Sequence, residues 1–349
     1  MLSLRTAVAE RYRAKLLEIM TSPAILHITN GTAVIPGMRS AGVQGAIVPW
    51  EDALHEGPVP LGLNVAAMRD RRAEFLASCG WAQAVELGRM LAERDAALES
   101  AATRLDPAGQ ESRARVDEIV LWLEFDLYDQ LQLLQILERL PLDGTPRVTA
   151  VPDDEYLGHL TPERLAEIFA ARREITSAER IAARDGWTAF RSADPRAIVD
   201  VLPRVTVLRH MPAALRRHLE QFPSVANGLS RTEQQAMEAV ASGVWRAGDV
   251  FVQSHVRRED AFFMGDSTFL MHIGALLRPP RPLLSTPRGG ARLTLDDDLA
   301  ITEDGMRVLE GTLDRVRTCG IERWLGGVQL SGTGPVWRWD KQRQSLRLG

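Results

Sequence analysis

The sequence predicts a mixed α/β fold, in which a doubly wound, mostly parallel sheet is followed by a helical segment and a winged-helix-like C-terminal domain. Short apolar runs alternate with helical periodicity in the first part of the chain, which is typical of right-handed βαβ units. The middle part shows only helical patterns, and the last part places short extended pieces after helices. We expect an N-terminal extension over 1–22, a Rossmann-like α/β domain over 23–155, a helical segment over 156–228 and a winged-helix-like domain with a C-terminal hairpin over 229–349.

Four apolar runs are the strands expected in the α/β domain. The first ends at the turn dipeptide Asn30-Gly31, and the third is too apolar to have a face in water, as in a buried parallel sheet. Pro58 and Pro60 should keep the loop after the second strand out of regular structure. The expected strands are residues 25–29, 46–48, 118–122 and 148–151, and the expected helices are residues 32–41, 65–78, 81–103 and 127–140.

Local capping signals place the helices of the second half. A proline stands at the first helical position after Thr161, and the pairs Thr176/Glu179 and Ser230/Glu233 fit the capping box. Only helices are expected over 161–222. The winged-helix prediction depends on helices at 231–241 and 266–277, extended pieces at 283–285 and 299–302, and a further helix from 303. A further hairpin is expected within 324–348.

Composition excludes several classes of protein. The 349 residues contain 42 Lys and Arg against 46 Asp and Glu, so no overall positive field would attract nucleic acid or anionic lipid. The two cysteines, Cys79 and Cys319, lack the spacing of a disulfide framework or a structural zinc site. Charged residues interrupt the first twenty positions, and no apolar run is long enough to span a bilayer. We therefore expect a cytoplasmic protein with no membrane partner.

Three separated motifs resemble a bacterial family known as Domain of Unknown Function 1835. They are the segments 26–31 (LHITNG), 48–58 (VPWEDALHEGP) and 121–131 (LWLEFDLYDQL), in that order, and together they span about residues 24–140. That family often has an aspartate directly after the Asn-Gly-like turn, where this chain has Thr32. The segment 324–328 (WLGGV) resembles the C-terminal part of longer members. The resemblance supports the expected boundaries and implies no activity.

Polar residues follow each of the first three expected strands. In open α/β sheets, ligands bind beyond the carboxyl ends of the strands, so these residues should share one rim. Helix N-termini at that rim could hold a ligand phosphate, and Asp52, Glu124 and Asp126 could instead hold a metal. The candidate catalytic residues are Asp52, His55, Glu124 and Asp126, with His55 as the proton carrier near neutral pH; the candidate ligand-binding residues are Asn30, Gly31, Thr32, Trp50, Glu56 and Asp129.

Each candidate also has a purely structural interpretation. Asp126 is placed to cap the helix that begins at Leu127, and Asn30-Gly31 is a common turn. His27 lies within a strand, where a buried, hydrogen-bonded histidine is the expected role. Asp52 could simply lie in a solvated loop. The sequence leaves both interpretations open.

Two function classes fit these observations. The first is an enzyme, a hydrolase or a phosphoryl transferase, that acts on an anionic or nucleotide-like ligand at the carboxyl edge of the sheet. The second is a ligand-sensing adaptor or regulatory protein, without catalysis, whose winged-helix-like domain contacts a protein partner. The sequence lacks GxGxxG, Walker, GxSxG and HExxH motifs, and it identifies no cofactor. Specific DNA binding is not expected, because residues 266–277 include no Lys or Arg.

Overall fold

A computed structural model describes residues 24–102, 116–142, 146–287 and 292–349. The expected N-terminal extension, residues 1–22, lies outside the described residues. The chain forms two compact units, and both are discontinuous in sequence. The first unit draws on Met1–Trp50, Arg94–Trp122 and Pro141–Ile175, and the second on Glu51–Glu93, Leu123–Leu140 and Thr176–Gly349.

The described residues contain strands and α-helices that we number in chain order. The strands are β1 (Ile25–Thr29), β2 (Ala46–Pro49), β3 (Gly57–Pro58), β4 (Glu118–Trp122), β5 (Arg147–Ala150), β6 (Arg173–Glu174), β7 (Leu284–Ser285), β8 (Ala300–Ile301), β9 (Ile321–Gly326), β10 (Val328–Gly332), β11 (Trp337–Asp340) and β12 (Ser345–Leu348). The helices are α1 (Ile35–Ser40), α2 (Val65–Ser78), α3 (Ala84–Ala102), α4 (Leu127–Arg139), α5 (Pro162–Ala170), α6 (Ser177–Phe190), α7 (Arg196–Val201), α8 (Met211–Leu219), α9 (Arg231–Ala241), α10 (Ala247–Phe251), α11 (Asp266–Leu276), α12 (Glu303–Leu309) and α13 (Arg315–Cys319).

A five-stranded sheet organises the first unit, in the order β2-β1-β4-β5-β6. The first four strands of that order are parallel, and β6 is antiparallel to β5. The prediction of a mixed α/β fold with a mostly parallel sheet is therefore confirmed. The expectation of helices alone over 161–222 is wrong at β6, because this two-residue strand pairs with Thr149 and Ala150 far from it in sequence.

The core of the first unit surrounds the central strand β4, all of whose residues are buried. Val120 and Trp122 pack in one apolar cluster with Met38 of α1 and Leu165 of α5. His27 of β1 is buried there, and its Nδ1 accepts a hydrogen bond of 3.0 Å from the Trp122 indole. The ring's other nitrogen lies 3.0 Å from the Gln44 carbonyl oxygen, so His27 is the hydrogen-bonded core histidine that the sequence predicts.

The second unit is mainly helical and includes the helix that follows β4 in the chain. Helix α4 packs against α6, where Gly186 leaves room for Leu134: a Cβ at this glycine would lie 3.0 Å from the leucine side chain. Both predicted capping boxes are present, at Thr176 before α6 and at Ser230 before α9. Among the helices of the described residues, none has both the length and the apolar composition needed to cross a membrane.

A short strand in the second unit corrects one prediction. Gly57 and Pro58 form β3, which pairs in parallel with Leu325 and Gly326 of β9, so this loop is not free of regular structure. Gly57 adopts a φ of +78°, a conformation that glycine tolerates best. Pro58 lacks an N–H, but β3 is an edge strand and needs few ladder hydrogen bonds.

The C-terminal part of the second unit contains the short elements that the winged-helix prediction requires. Helices α9, α10 and α11 are followed by the antiparallel pair β7–β8 and then by α12. Arg246 forms an isolated bridge with Asp298 just before β8. The winged-helix architecture itself remains a prediction. The expected C-terminal hairpin is present, since β9–β10 and β11–β12 are both antiparallel pairs.

Candidate functional site

Three carboxylates converge at the start of α4 in the second unit. Glu124, Asp126 and Asp129 each place one carboxylate oxygen within 4.8 Å of the others. All three side chains are buried. We call this group the acidic cluster. Its members are those the sequence places after the third strand.

The local fold around α4 holds the acidic cluster in place. Asp126 is the N-cap residue, and its side chain accepts a hydrogen bond of 3.2 Å from the Asp129 N–H. Asp129 in turn accepts a bond of 2.9 Å from the Glu124 N–H, and the Gln130 amide donates to the Glu124 carbonyl at 2.8 Å. Asp126 therefore caps the helix that begins at Leu127, as one of its two interpretations predicts. It also belongs to a compact group of acids.

Burial and a neighbouring charge raise the pKa of Asp126 within the acidic cluster. Burial raises its pKa most and the nearby charge of Glu124 adds to the increase, and with two backbone hydrogen bonds that lower it the pKa is about 7. Three carboxylates this close repel one another when all are ionised, so a proton or a cation has to offset part of their charge. Near neutral pH the acidic cluster can therefore exchange a proton for a cation.

Asp52 is paired with an arginine, and its contacts differ from those expected of a metal ligand. Its Oδ1 accepts hydrogen bonds from Arg72 Nε at 2.9 Å and from Arg72 Nη2 at 2.7 Å. The same guanidinium donates to the carbonyl oxygens of Ala53 and Glu56. The suggested metal set of Asp52, Glu124 and Asp126 is thus replaced by one in which Asp129 is the third acid.

Tyr128 links the acidic cluster with the loop that carries Asp52 and His55. Burial raises the pKa of its phenol well above the usual range, and the charges of Asp129 and Asp52 add to that increase. Its ring meets the His55 ring edge-on at a centroid distance of 5.9 Å. The residues after the second and third expected strands therefore do come together, through a tyrosine that the sequence did not single out.

His55 is a neutral histidine and does not fit the predicted role of proton carrier. Its ring is enclosed by Tyr128 and Phe263, and neither ring nitrogen has a hydrogen-bond partner among the described residues. Burial lowers its pKa to about 3, so it stays unprotonated at neutral pH. A group with a pKa near neutrality lies instead in the acidic cluster, at Asp126.

Glu56 forms the centre of a second charged group. Its Oε1 lies 2.8 Å from His272 Nε2 and accepts a hydrogen bond of 2.7 Å from Arg323. Burial opposes its charge, but Arg323 and His272 hold the pKa of Glu56 well below its usual range. Glu56 is thus bound to protein groups, which favours a structural role over the predicted contact with ligand.

Four of the candidate ligand-binding residues belong to the first unit. Asn30 and Gly31 are half-buried and Thr32 is exposed. The Gly31 carbonyl accepts a hydrogen bond of 2.8 Å from the Thr29 hydroxyl, which closes the turn. Trp50 is fully buried, with the Arg94 guanidinium 4.1 Å from its ring centroid, so its indole is part of the core.

The partners that decide these roles come from distant parts of the sequence. Arg72 lies in the middle of α2, and His272 and Arg323 lie in the C-terminal part of the chain, where no motif distinguishes them from other charged residues. Tyr128 is the exception, since its position between Asp126 and Asp129 is a signal that sequence reasoning could have used.

Compared with models of known protein families and with curated proteins, the chain matches none. The resemblance to Domain of Unknown Function 1835 therefore remains a prediction, and function has to be argued from the geometry.

Proposed function

We propose that this chain is an enzyme dependent on a divalent cation, a hydrolase or a phosphoryl transferase, that acts on a phosphate-bearing or otherwise anionic small molecule. The acidic cluster carries this proposal: three buried carboxylates each contribute an oxygen within 4.8 Å of the others. Carboxylate oxygens are the ligands that Mg²⁺, Mn²⁺ and Ca²⁺ prefer in proteins.

The charge of the acidic cluster favours a cation over a proton. Protonation of Asp126 removes one of three negative charges, whereas a divalent cation offsets two and coordinates all three residues. Binding would displace the Asp126 proton, so cation affinity should rise with pH through the pKa of about 7. A cation held on carboxylates can also orient a phosphate oxygen and offset the charge that develops during phosphoryl transfer.

The neighbouring groups set the environment of the acidic cluster. The Tyr128 phenol stays protonated, because burial and the charges of Asp129 and Asp52 raise its pKa. It is therefore a neutral phenol, hydrogen-bonded to Gln132, and adds no charge to the acidic cluster at any physiological pH. Arg72 pairs with Asp52 at 2.7 Å, so Asp52 is held apart from the cation ligands that we propose.

Titration with Mn²⁺, followed by electron paramagnetic resonance of the free ion, tests cation binding. We expect one site in the wild-type protein, with affinity falling at least about tenfold in Asp126→Asn and Asp129→Asn through loss of a charged ligand. Asparagine is as good an N-cap as aspartate, so Asp126→Asn should keep the helix cap. Glu163→Gln, which removes an exposed acid in the first turn of α5, is the matched control. Equal binding by all four proteins would contradict the cation site.

Release of inorganic phosphate from nucleoside triphosphates and from p-nitrophenyl phosphate, with Mg²⁺ or Mn²⁺ present, tests catalysis. Turnover that requires the cation and is lost in Asp126→Asn would support the enzyme. Cation binding without turnover of any phosphate ester would contradict the enzyme and favour the ligand-sensing alternative.

A further inference from the structure

A cleft of about 660 Å³ opens in the C-terminal part of the second unit, away from the acidic cluster in sequence. This volume falls within the range of small-molecule sites. The residues that line it come from the end of α8, the loop before α9, the first three turns of α9, the segment 258–260, the end of α12, and β11 with the residue that follows it. We call it the α9 cleft.

The floor of the α9 cleft is apolar and aromatic. Phe222, Leu229 and Trp339 line it, and each is almost fully buried, with 1%, 1% and 5% of its surface exposed. The Trp339 Nε1–H has no hydrogen-bond partner among the described residues. A buried indole N–H without a partner is costly, and an acceptor atom from a ligand would relieve that cost.

Most charges on the rim of the α9 cleft are already neutralised in pairs. Arg231 donates to Glu220 at 2.7 Å and lies 3.8 Å from the exposed Asp260. Arg258 donates to Glu238 at 2.7 Å. Lys341 is different: it is exposed and forms no ion pair within the part of the chain that the structure describes. It is also the only lysine among the described residues. Lys341 is thus the cation at this rim that is available to a ligand.

The first turn of α9 adds a second positive element. Ser230, its N-cap residue, lines the cleft, and the N-terminal end of this eleven-residue helix carries a partial positive charge. The capping box with Glu233 satisfies two N–H groups there. The helix therefore contributes mainly the positive end of its dipole, because these two N–H groups are not free to bind a ligand. Together with Lys341 it favours an anionic group in the cleft.

We propose that the α9 cleft binds a small organic anion with a flat apolar body, an aromatic carboxylate or the phosphate ester of an aromatic group. The body lies on Trp339 and Phe222, and the charged group contacts Lys341. This site goes beyond the proposed cation-dependent reaction and does not depend on it.

Isothermal titration calorimetry with 1-naphthoate tests the α9 cleft, and the uncharged 1-naphthalenemethanol, which has the same ring system, is the comparison ligand. The metal-free protein should bind 1-naphthoate at one site, about tenfold or more tighter than the alcohol, the size expected of one charge-assisted hydrogen bond. In Lys341→Met the two ligands should bind equally. Arg343→Met is the matched control, because Arg343 is an exposed cation paired with Asp340 and does not line the cleft.

Two further measurements locate the ligand. Ala226→Phe, which places a ring in the cleft from an exposed position on its wall, should abolish binding of both ligands. In a ¹H–¹⁵N NMR spectrum the Trp339 indole resonance should shift on addition of 1-naphthoate, while that of the exposed Trp245 should not. Asp126→Asn should bind 1-naphthoate like the wild-type protein, which separates this site from the acidic cluster.

Equal affinity for acid and alcohol in the wild-type protein would overturn the proposal. So would unchanged binding in Lys341→Met, a Trp339 resonance that does not move, or the absence of saturable binding.

Discussion

Arginines in the second unit neutralise carboxylates that are removed from water. Arg72 bonds Asp52 at 2.7 Å, and both side chains are essentially inaccessible, at 1% and 0% of their surface. Arg323 bonds Glu56 at 2.7 Å. Moving such charges from water into the protein interior costs free energy, so a buried ion pair adds little net stability. Removing one partner, however, lowers the free energy of unfolding strongly, because the other charge stays buried without a partner. Each arginine here is therefore required mainly because its carboxylate is present.

Arg72→Met should lower the free energy of unfolding by about 3–5 kcal/mol, because it leaves Asp52 charged and buried without its partner. Arg164→Met is the control, since Arg164 bonds Glu155 at 2.6 Å on the surface, where such pairs are worth at most about 1 kcal/mol. Urea denaturation followed by tryptophan fluorescence measures both losses. Similar losses in the two variants would show that the Asp52 pair is no more than a surface-like contact.

At the scale of elements, sequence reasoning succeeded where the signal is local. The N-cap residues Asn64, Thr161 and Thr176 and the apolar run of β4 each act within a few residues, and the structure has all of them where expected. Glu124, Asp126 and Asp129 were predicted as one polar group after the third strand for the same reason, because they lie within six positions of one another.

The elements and contacts that were missed depend on pairing between distant segments. β3 forms only because it pairs in parallel with β9, which lies more than 260 positions away in the sequence. Likewise, Glu56 and His272 are separated by 216 positions. Periodicity and turn signals in a single sequence do not reveal contacts between such distant residues. The residues His55 and Glu56 were therefore predicted to act on a ligand, whereas the structure places them in the core.

The turn between β9 and β10 depends on the absence of a side chain at Gly327. A Cβ at this position would overlap the backbone carbonyl of Arg191 and approach that of Ser192. Gly327→Ala should therefore destabilise the protein by about 1–3 kcal/mol, the usual cost of forcing extra atoms into a packed site. Gly334→Ala is the control, because nothing lies within 4 Å of the added atom. Thermal unfolding of the two variants checks this, and an equal melting temperature would refute the steric argument.

Over the whole molecule, the ionisable groups with the most strongly shifted pKa values are buried. The net charge is −4, and α11, the helix expected to enter a DNA groove in a winged helix, includes no Lys or Arg. Several ionisable groups are buried, and burial shifts the pKa values of acids and of histidines in opposite directions. Asp126 is held toward its protonated form, whereas the buried histidines are held neutral.

Two of the buried histidines, His55 and His218, make a large contribution to the pH dependence of stability. Burial lowers the pKa of His55 to about 3, and it does the same to His218, whose ring nitrogens also have no hydrogen-bond partner among the described residues. Both stay neutral in the folded protein, whereas in the unfolded chain they bind protons below about pH 6.5. The unfolded state therefore takes up more protons, and stability is lost as pH falls from about 6.5 toward 3. Each histidine changes the unfolding equilibrium by up to about tenfold per pH unit in that window.

We therefore expect the urea midpoint of the wild-type protein to fall steeply between pH 6.5 and 4.5, and the double variant His55→Leu/His218→Leu to show a much shallower fall. His159→Leu, which removes an exposed histidine, should keep the wild-type slope. Asp126 acts with the opposite sign: its raised pKa makes the folded state bind the extra proton between about pH 4 and 7, so its contribution to stability decreases as pH rises through that window. Adding Asp126→Asn to the double variant should remove this opposing contribution. An acid-induced loss as steep in the double variant as in the wild-type protein would show that His55 and His218 are not its source.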